Sequence, residues 1–313
     1  MSLTAAIDIG SNTIRLLIGD VRDNRIEHVY SDRKITRLAE GIGKIKILRD
    51  ANIEASIRVL KHYSSVIQEY GVTSVVAVAT GAIREVSNAD TFIKKALTDA
   101  DVAIEVISGE KEAELILKGV LSSLFDSLPI RCNQVFIVDI GGGSTEWILW
   151  RDERPIDMGS IPIGVVKLHE KCIKTDPISK ADITALDREI LSVLKMLKER
   201  IGHPLESKTT LIGTAGTFTT LAAIDLRLKR YSREKLHLHR ISLHRLLDMS
   251  RSLLALSMKE RIKVAGIEPG RADLIIPGIQ FTINIMKTFQ FDELIISDYG
   301  LLEGVLIETV ERK

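Results

Sequence analysis

Ala5-Ala6-Ile7-Asp8-Ile9-Gly10-Ser11-Asn12-Thr13-Ile14 and Phe136-Ile137-Val138-Asp139-Ile140-Gly141-Gly142-Gly143-Ser144-Thr145 are two copies of one pattern. Each runs from an apolar strand through an aspartate, a glycine turn and a hydroxyl residue into a second strand. Either copy alone reads most simply as a turn entry. Two copies in matching contexts are hard to produce by chance, and they predict two domains of similar design. Strands and helices mix in both halves, so the fold class is α/β.

Outward from the first copy, strands are expected at residues 4–10, 14–21 and 25–32. An amphipathic helix follows, with Ile53, Ile57, Leu60 and Ile67 on one face, a cap at Asp50 or Asn52, and a stop at Gly71. A buried strand over 74–80, a helix through Phe92 and Leu97, and a strand over 102–107 come next. Ser108 reads as the N-cap of a helix that begins Gly109-Glu110-Lys111-Glu112. Residues 122–133, with Pro129, read as a connection. Strands at 134–140 and 145–150 then restart the pattern. Helices are expected at 182–201, 217–226, 242–256, 271–288 and 301–310, with a short strand at 294–297.

A chain of 313 residues exceeds what one compact core usually holds. With 45% hydrophobic and 27% charged residues, the composition is that of an ordinary globular protein. Net charge is +1, so affinity for a polyanion must come from local arrangement and not from a global field. Cys132 and Cys172 stand alone, which argues against a zinc site and a disulfide scaffold. The N-terminus carries Asp8 and no basic stretch, unlike a signal peptide, and no apolar run approaches the roughly 20 residues needed to cross a bilayer. A reducing cytoplasm is the expected location.

A turn built of glycine and hydroxyl residues presents backbone N–H groups to phosphate oxygens. Ser11, Asn12 and Thr13 in the first copy, and Gly141, Gly142, Gly143, Ser144 and Thr145 in the second, are therefore candidate phosphate contacts. An aspartate just before such a turn repels phosphate unless a hard cation lies between them. Mg²⁺, which keeps several waters and takes one or two carboxylates, suits that position. Asp8 and Asp139 are thus candidate metal-side residues, joined by Glu146 on the strand after the second turn. There is no Walker-type loop, because the glycine turns lead into strands. A third element, Gly213-Thr214-Ala215-Gly216-Thr217, does lead into a helix whose N-terminus can take an anion. His237, His239 and His244 are read as solvated surface for want of a nearby acidic partner. The run Arg227-Leu228-Lys229-Arg230-Tyr231-Ser232-Arg233 is either a polyanion guide or an exposed helix end. Trp147 and Trp150 are read as core residues and not as a nucleic-acid stacking platform.

These motifs resemble the exopolyphosphatase/guanosine pentaphosphate phosphohydrolase (Ppx/GppA) family of the actin-like superfamily. The matching stretches are Asp8 through Leu16, Arg37-Leu38-Ala39-Glu40-Gly41, Ala79-Thr80-Gly81-Ala82-Ile83-Arg84, Ile107 through Ala113, Val138 through Glu146, Gly213 through Thr217, Arg271-Ala272-Asp273 and Ser297 through Gly304. The resemblance implies two actin-like (ribonuclease H-like) domains around an interdomain cleft, at 1–118 plus 300–313 and at 119–299. The short form is implied, without the family's C-terminal HD-like domain. It also implies a phosphohydrolase using Mg²⁺ or another divalent cation. Glu112 maps onto the catalytic base, Asp139 onto a metal contact, and Glu146 onto a further acidic role. Arg84 meets substrate phosphate, with Arg15 and Arg271 as further candidates beside Gly213, Thr214, Gly216 and Thr217. Two positions depart from the family pattern: Glu114 and Leu302 stand where arginines are common.

The expected substrate is inorganic polyphosphate, with guanosine pentaphosphate (pppGpp) as the alternative. A phosphonucleotide sensor without turnover is the reading from another class, and an acceptor kinase is disfavoured by the glutamate motif. A homodimer is the candidate assembly, with neither membrane nor nucleic acid as partner.

Overall fold

The computed structural model describes residues 2–23, 25–43, 45–124 and 134–312. They group into two compact units, one of Met1–Leu128, Gly142–Ser144 and Tyr299–Lys313, the other of Pro129–Gly141 and Thr145–Asp298.

In the first unit, β1 (Leu3–Ile9), β2 (Thr13–Arg22) and β3 (Arg25–Ile35) form an antiparallel meander. After α1 (Asp50–Glu69), β4 (Ser74–Ala79) pairs parallel to β1. Then come α2 (Gly81–Arg84), α3 (Ala89–Ala100), β5 (Ile104–Val106) parallel to β4, and α4 (Gly109–Leu124). The last helix of the chain, α12 (Leu301–Glu311), packs on β1, β2 and α4. The sheet order is β3-β2-β1-β4-β5. Ala5, Ile7 and Ile9 of β1 join Ile14 and Leu16 of β2 and Ile53, Ile57, Leu60 and Tyr63 of α1 in one core. With α12 also on the sheet, β1 is buried almost throughout, as strands covered on both faces are.

The second unit contains β6 (Val135–Ile140), β7 (Thr145–Arg151), β8 (Arg154–Ile161), α5 (Val165–Cys172), α6 (Lys180–Ile201), β9 (Thr210–Thr214) and α7 (Ala215–Asp225). It continues with α8 (Arg233–Leu236), β10 (Arg240–Ser242), α9 (Leu243–Leu254), α10 (Met258–Arg261), α11 (Ile275–Phe289) and β11 (Glu293–Ile296). Its sheet runs β10-β11-β9-β6-β7-β8. From β8 inward, three antiparallel strands are followed by parallel β9 and β11, which repeats the first unit. The two quoted sequence stretches are the equivalent hairpins, β1–β2 and β6–β7. Both units are actin-like α/β domains, with β10 an addition at the edge. Trp147 and Trp150 are fully buried in the second.

Several local expectations change. Neither Asp50 nor Asn52 caps α1: Arg49 holds the N-cap position without a side-chain bond. The Asn52 amide instead donates to the Arg37 carbonyl at 2.9 Å. The helix ends as expected, with Gly71 left-handed at φ +62°. The strand expected over 102–107 shrinks to Ile104–Val106, and β8, β9, β10 and α5 carry no expectation. The domain cut expected at 118/119 falls inside α4, which continues to Leu124. Of the connection expected over 122–133, residues 122–124 belong to the end of α4, and the rest, with Pro129 and Cys132, lies outside the described residues. Cys172 is buried, and burial pushes its thiol pKa up. Among the described residues no helix is long and apolar enough to cross a membrane.

Candidate functional site

Ser108 begins α4 as its sequence suggests: its Oγ accepts from Lys111 N at 3.1 Å, and its carbonyl from Glu112 N at 2.9 Å. This bonding fixes Glu112 in the first turn, buried. Arg84 ends α2, and its Nη1 donates to Glu112 Oε2 at 2.9 Å and to the Ile107 carbonyl at 2.8 Å. Nε and Nη2 of Arg84 make no hydrogen bond among the described residues. One edge of the guanidinium thus aligns Glu112 while the other keeps its donors for an anion. At the opposite end of α2, a Cβ added to Gly81 would meet Ser144 Oγ at 2.8 Å. Glycine at 81 therefore permits the close approach of Gly142–Ser144, which groups with the first unit. Glu112, Arg84 and the Ser144 turn converge.

The first hairpin has a different character. Asp8 and Arg15 are register partners, and Arg15 donates to Asp8 Oδ2 from Nε at 2.8 Å and Nη2 at 2.6 Å. Gly10 N closes the turn on the Thr13 carbonyl at 3.0 Å. Ser11, Asn12 and Thr13 are buried within it. The Asn12 carbonyl accepts from Thr36 N and Arg37 N, and the Ser11 carbonyl accepts from Ala39 N. The 37–41 motif is thus a brace beneath the turn, with Arg37 held left-handed at φ +51°.

In the second hairpin, Phe136, Val138 and Ile140 face the unit's core. The two-residue period turns Asp139 to the opposite face with its register partner Glu146. Both carboxylates are buried, and Glu146 Oε1 accepts from Ser160 Oγ at 2.6 Å. The same seven-residue spacing gives a carboxylate–guanidinium pair in the first hairpin and a carboxylate pair in the second. Two buried carboxylates side by side repel unless a cation or a proton is shared. The Asp139–Glu146 donor set therefore fits Mg²⁺, whereas Asp8 already shares its oxygen with Arg15. Among the described residues no group of three or more His, Cys, Asp and Glu converges as a metal site.

Thr145 Oγ1 donates to the Ile163 carbonyl at 2.7 Å, Val165 N to the Gly141 carbonyl at 3.0 Å, and Thr217 Oγ1 to the Ile140 carbonyl at 2.7 Å. The second turn is therefore tied to the start of α7. Thr214 is the N-cap of α7, and Gly213 lies on β9 against the Phe218 ring. Arg271 lies directly on Gly216, where any Cβ would fall on its guanidinium, and its Nε stands 3.4 Å from Glu268. The Gly/Thr element and Arg271 form one cationic helix start within the second unit.

The three histidines occupy three surroundings, so they are not one cluster. His239 Nε2 meets Asp225 Oδ2 at 2.7 Å, supplying the acidic partner thought absent. Arg245 pairs with the other oxygen of Asp225. His244 is exposed. His237 is half-buried beside Asp298, and burial lowers its pKa. A base whose folded pKa lies below its unfolded value costs stability as pH falls. His237→Gln is therefore expected to remove a loss of stability that begins below about pH 6.5. Urea midpoints of both proteins between pH 8 and pH 5 check this; parallel curves reject it.

One ion-pair cluster at the start of α4 was not foreseen. Lys111 Nζ bonds Glu308 Oε2 at 2.7 Å and Glu114 Oε2 at 3.1 Å, and Lys118 reaches Glu308 at 3.3 Å. Glu114, one of the two departures from the family pattern, thus serves to hold Lys111. Leu302, the other, is buried.

Residues 17–313 match the sequence profile of the Ppx/GppA phosphatase family. The chain is 32% identical to exopolyphosphatase 2 of Mycobacterium tuberculosis, over 98% of this chain and 99% of the relative. It is also 32% identical to a bifunctional 3-dehydroquinate synthase/phosphatase of Fusobacterium nucleatum, over 99% of this chain and 47% of that protein. The chain therefore spans about half the length of that relative. Among solved structures, it is similar to the Aquifex aeolicus member of the Ppx/GppA family, with a TM-score of 0.81 at 32% identity, covering 99% and 98% of the two chains. An exopolyphosphatase from Cytophaga hutchinsonii gives a TM-score of 0.89 at 28% identity, with the same coverage.

Proposed function

The chain belongs to the Ppx/GppA phosphatase family, and from that premise we propose that it is an exopolyphosphatase. Water adds to the terminal phosphorus of inorganic polyphosphate, the bridging P–O bond breaks, and orthophosphate leaves a chain one unit shorter. The observation that carries this reading is the Glu112–Arg84 pair set against the Ser144 turn. Relatives named exopolyphosphatase at 28–32% identity across almost the full chain support it.

Phosphoryl transfer passes through a loose transition state, so the protein's task is mostly positioning and charge stabilisation. Glu112 holds a water in line with the terminal phosphorus and accepts its proton as the P–O bond forms. Arg84, already oriented by Glu112 and the Ile107 carbonyl, uses its remaining donors on the phosphoryl oxygens. Backbone N–H groups of the glycine turn receive the same oxygens. Asp139 and Glu146 are the residues that would hold Mg²⁺, whose charge would neutralise the phosphate chain.

Guanosine pentaphosphate is the second reading, and one observation favours it. Glu114 and Leu302 leave two positions without the cations common in the family, which weakens a grip on long polyanions. Phosphate release from polyphosphate and from pppGpp, each with Mg²⁺ and with chelator, separates the two. Metal-dependent release from polyphosphate at the higher kcat/KM is expected. A preference for pppGpp moves the assignment to the nucleotide. Release from neither substrate rejects both in favour of a sensor.

A further inference from the structure

Residues 225–245 carry seven Lys and Arg against two Asp and Glu, in a chain whose net charge is only +1. Three of the seven cations have a carboxylate: Arg233 has Asp298, Arg240 has Glu293, and Arg245 has Asp225. Arg227, Lys229 and Arg230 have none among the described residues and are exposed. The turn that opens this run is tied to the end of α7 by backbone bonds. Leu226, Arg227 and Leu228 donate their N–H groups back to the carbonyls of Ala222, Ile224 and Ala223 at 2.9–3.0 Å. Arg227 is left-handed at φ +50°. Leu226 and Leu228 pack on the core of the second unit, so the interleaved cations are turned outward. Cations near a helix C-terminus gain some stability from its dipole.

We infer that Arg227, Lys229 and Arg230 form a docking subsite for the distal part of long-chain inorganic polyphosphate. This rests on the polyphosphate reading of the active site and adds chain length to it. The turn follows directly on the C-terminal end of α7, whose N-terminal end carries the Gly/Thr element and Arg271. Eleven helical residues separate the two ends, about 16 Å at 1.5 Å per residue. A tripolyphosphate held at one end does not reach the other; a long polyphosphate does. Single-stranded RNA is the other polyanion of similar charge density, but it binds through several aromatic faces. The segment offers only Tyr231, whose hydroxyl is bound to Asp298.

The test compares wild type with the triple variant R227Q/K229Q/R230Q on polyphosphate of several hundred units and on tripolyphosphate. KM for the long chain is expected to rise about tenfold, with kcat and the tripolyphosphate parameters within twofold of wild type. The slope of log affinity against log salt, from anisotropy of labelled long polyphosphate in chelator, is expected to fall by about 2, three contacts at about 0.7 each. A triple Arg/Lys swap (R227K/K229R/R230K) should restore both, and thermal melts confirm that the surface changes leave the fold intact. An unchanged long-chain KM, or an equal rise on tripolyphosphate, overturns the inference. Loss of poly(U) binding without loss of polyphosphate binding overturns it in favour of RNA. If the wild type cleaves no polyphosphate, the proposed activity fails by itself, and the metal-free binding slope still decides the subsite.

Discussion

Glu112→Gln is expected to lower kcat for terminal phosphate release by about 10²–10⁴-fold, the usual worth of a positioned general base. KM should stay within a few-fold of wild type. Glutamine has the same shape, and its carbonyl oxygen can still accept from Arg84 Nη1, which retains the Ile107 carbonyl as its other partner. What disappears is the capacity to take a proton from water and the charge that holds Arg84 to one side. The expected pattern is a loss confined to kcat, with the melting temperature close to that of wild type. Steady-state kinetics on polyphosphate with Mg²⁺, beside a thermal melt, reads both. Turnover near the wild-type rate would remove Glu112 from the mechanism. A rise in KM as large as the fall in kcat would make it a binding residue.

The hairpins on which this rests were legible because they are local. An aspartate, a glycine turn and a hydroxyl residue within ten positions determine strand, turn and strand, and the second copy repeated the message. The pairing of Asp8 was less legible. Asp8 and Arg15 face each other only once the turn length and register are known, and the same seven-residue step places Glu146 beside Asp139. Read as residue types, Asp8 and Asp139 are equivalent; read in register, Asp8 faces a guanidinium and Asp139 faces a carboxylate. Long-range partners left no trace. Glu308 is 197 positions from Lys111, and Asp225 meets His239 and Arg245 from another element. β8 escaped because it opens on exposed Arg154, Pro155 and Ile156, which obscures the alternation that marks a half-buried strand. The glycines inside α4 and α12 were silent too, because a glycine in a helical pattern reads only as a local cost.

Those two glycines carry the largest expected effect on stability. On an isolated helix, Gly304→Ala would stabilise by about 1 kcal/mol, since alanine is the better helix former. Here the sign should reverse. A Cβ at Gly304 would fall on the Leu115 carbonyl of α4, and one at Gly119 on the Gly300 carbonyl before α12. The obstacles are backbone atoms, so no rotamer change can yield, and the helices must separate. Overpacking of this kind costs about 1–3 kcal/mol and occasionally more. The upper end is expected for Gly304, because the Lys111–Glu308 and Lys118–Glu308 pairs and the packing of α12 on β1 would all be displaced with it. After the propensity gain is set against it, a net loss of about 2 kcal/mol is expected, read as a lower urea midpoint at unchanged m-value. Activity should fall as well, because moving α4 moves the turn that carries Glu112. If Gly304→Ala instead raises the midpoint, the helices are not in backbone contact, and the clamp that fixes the start of α4 must be sought in the ion pairs alone.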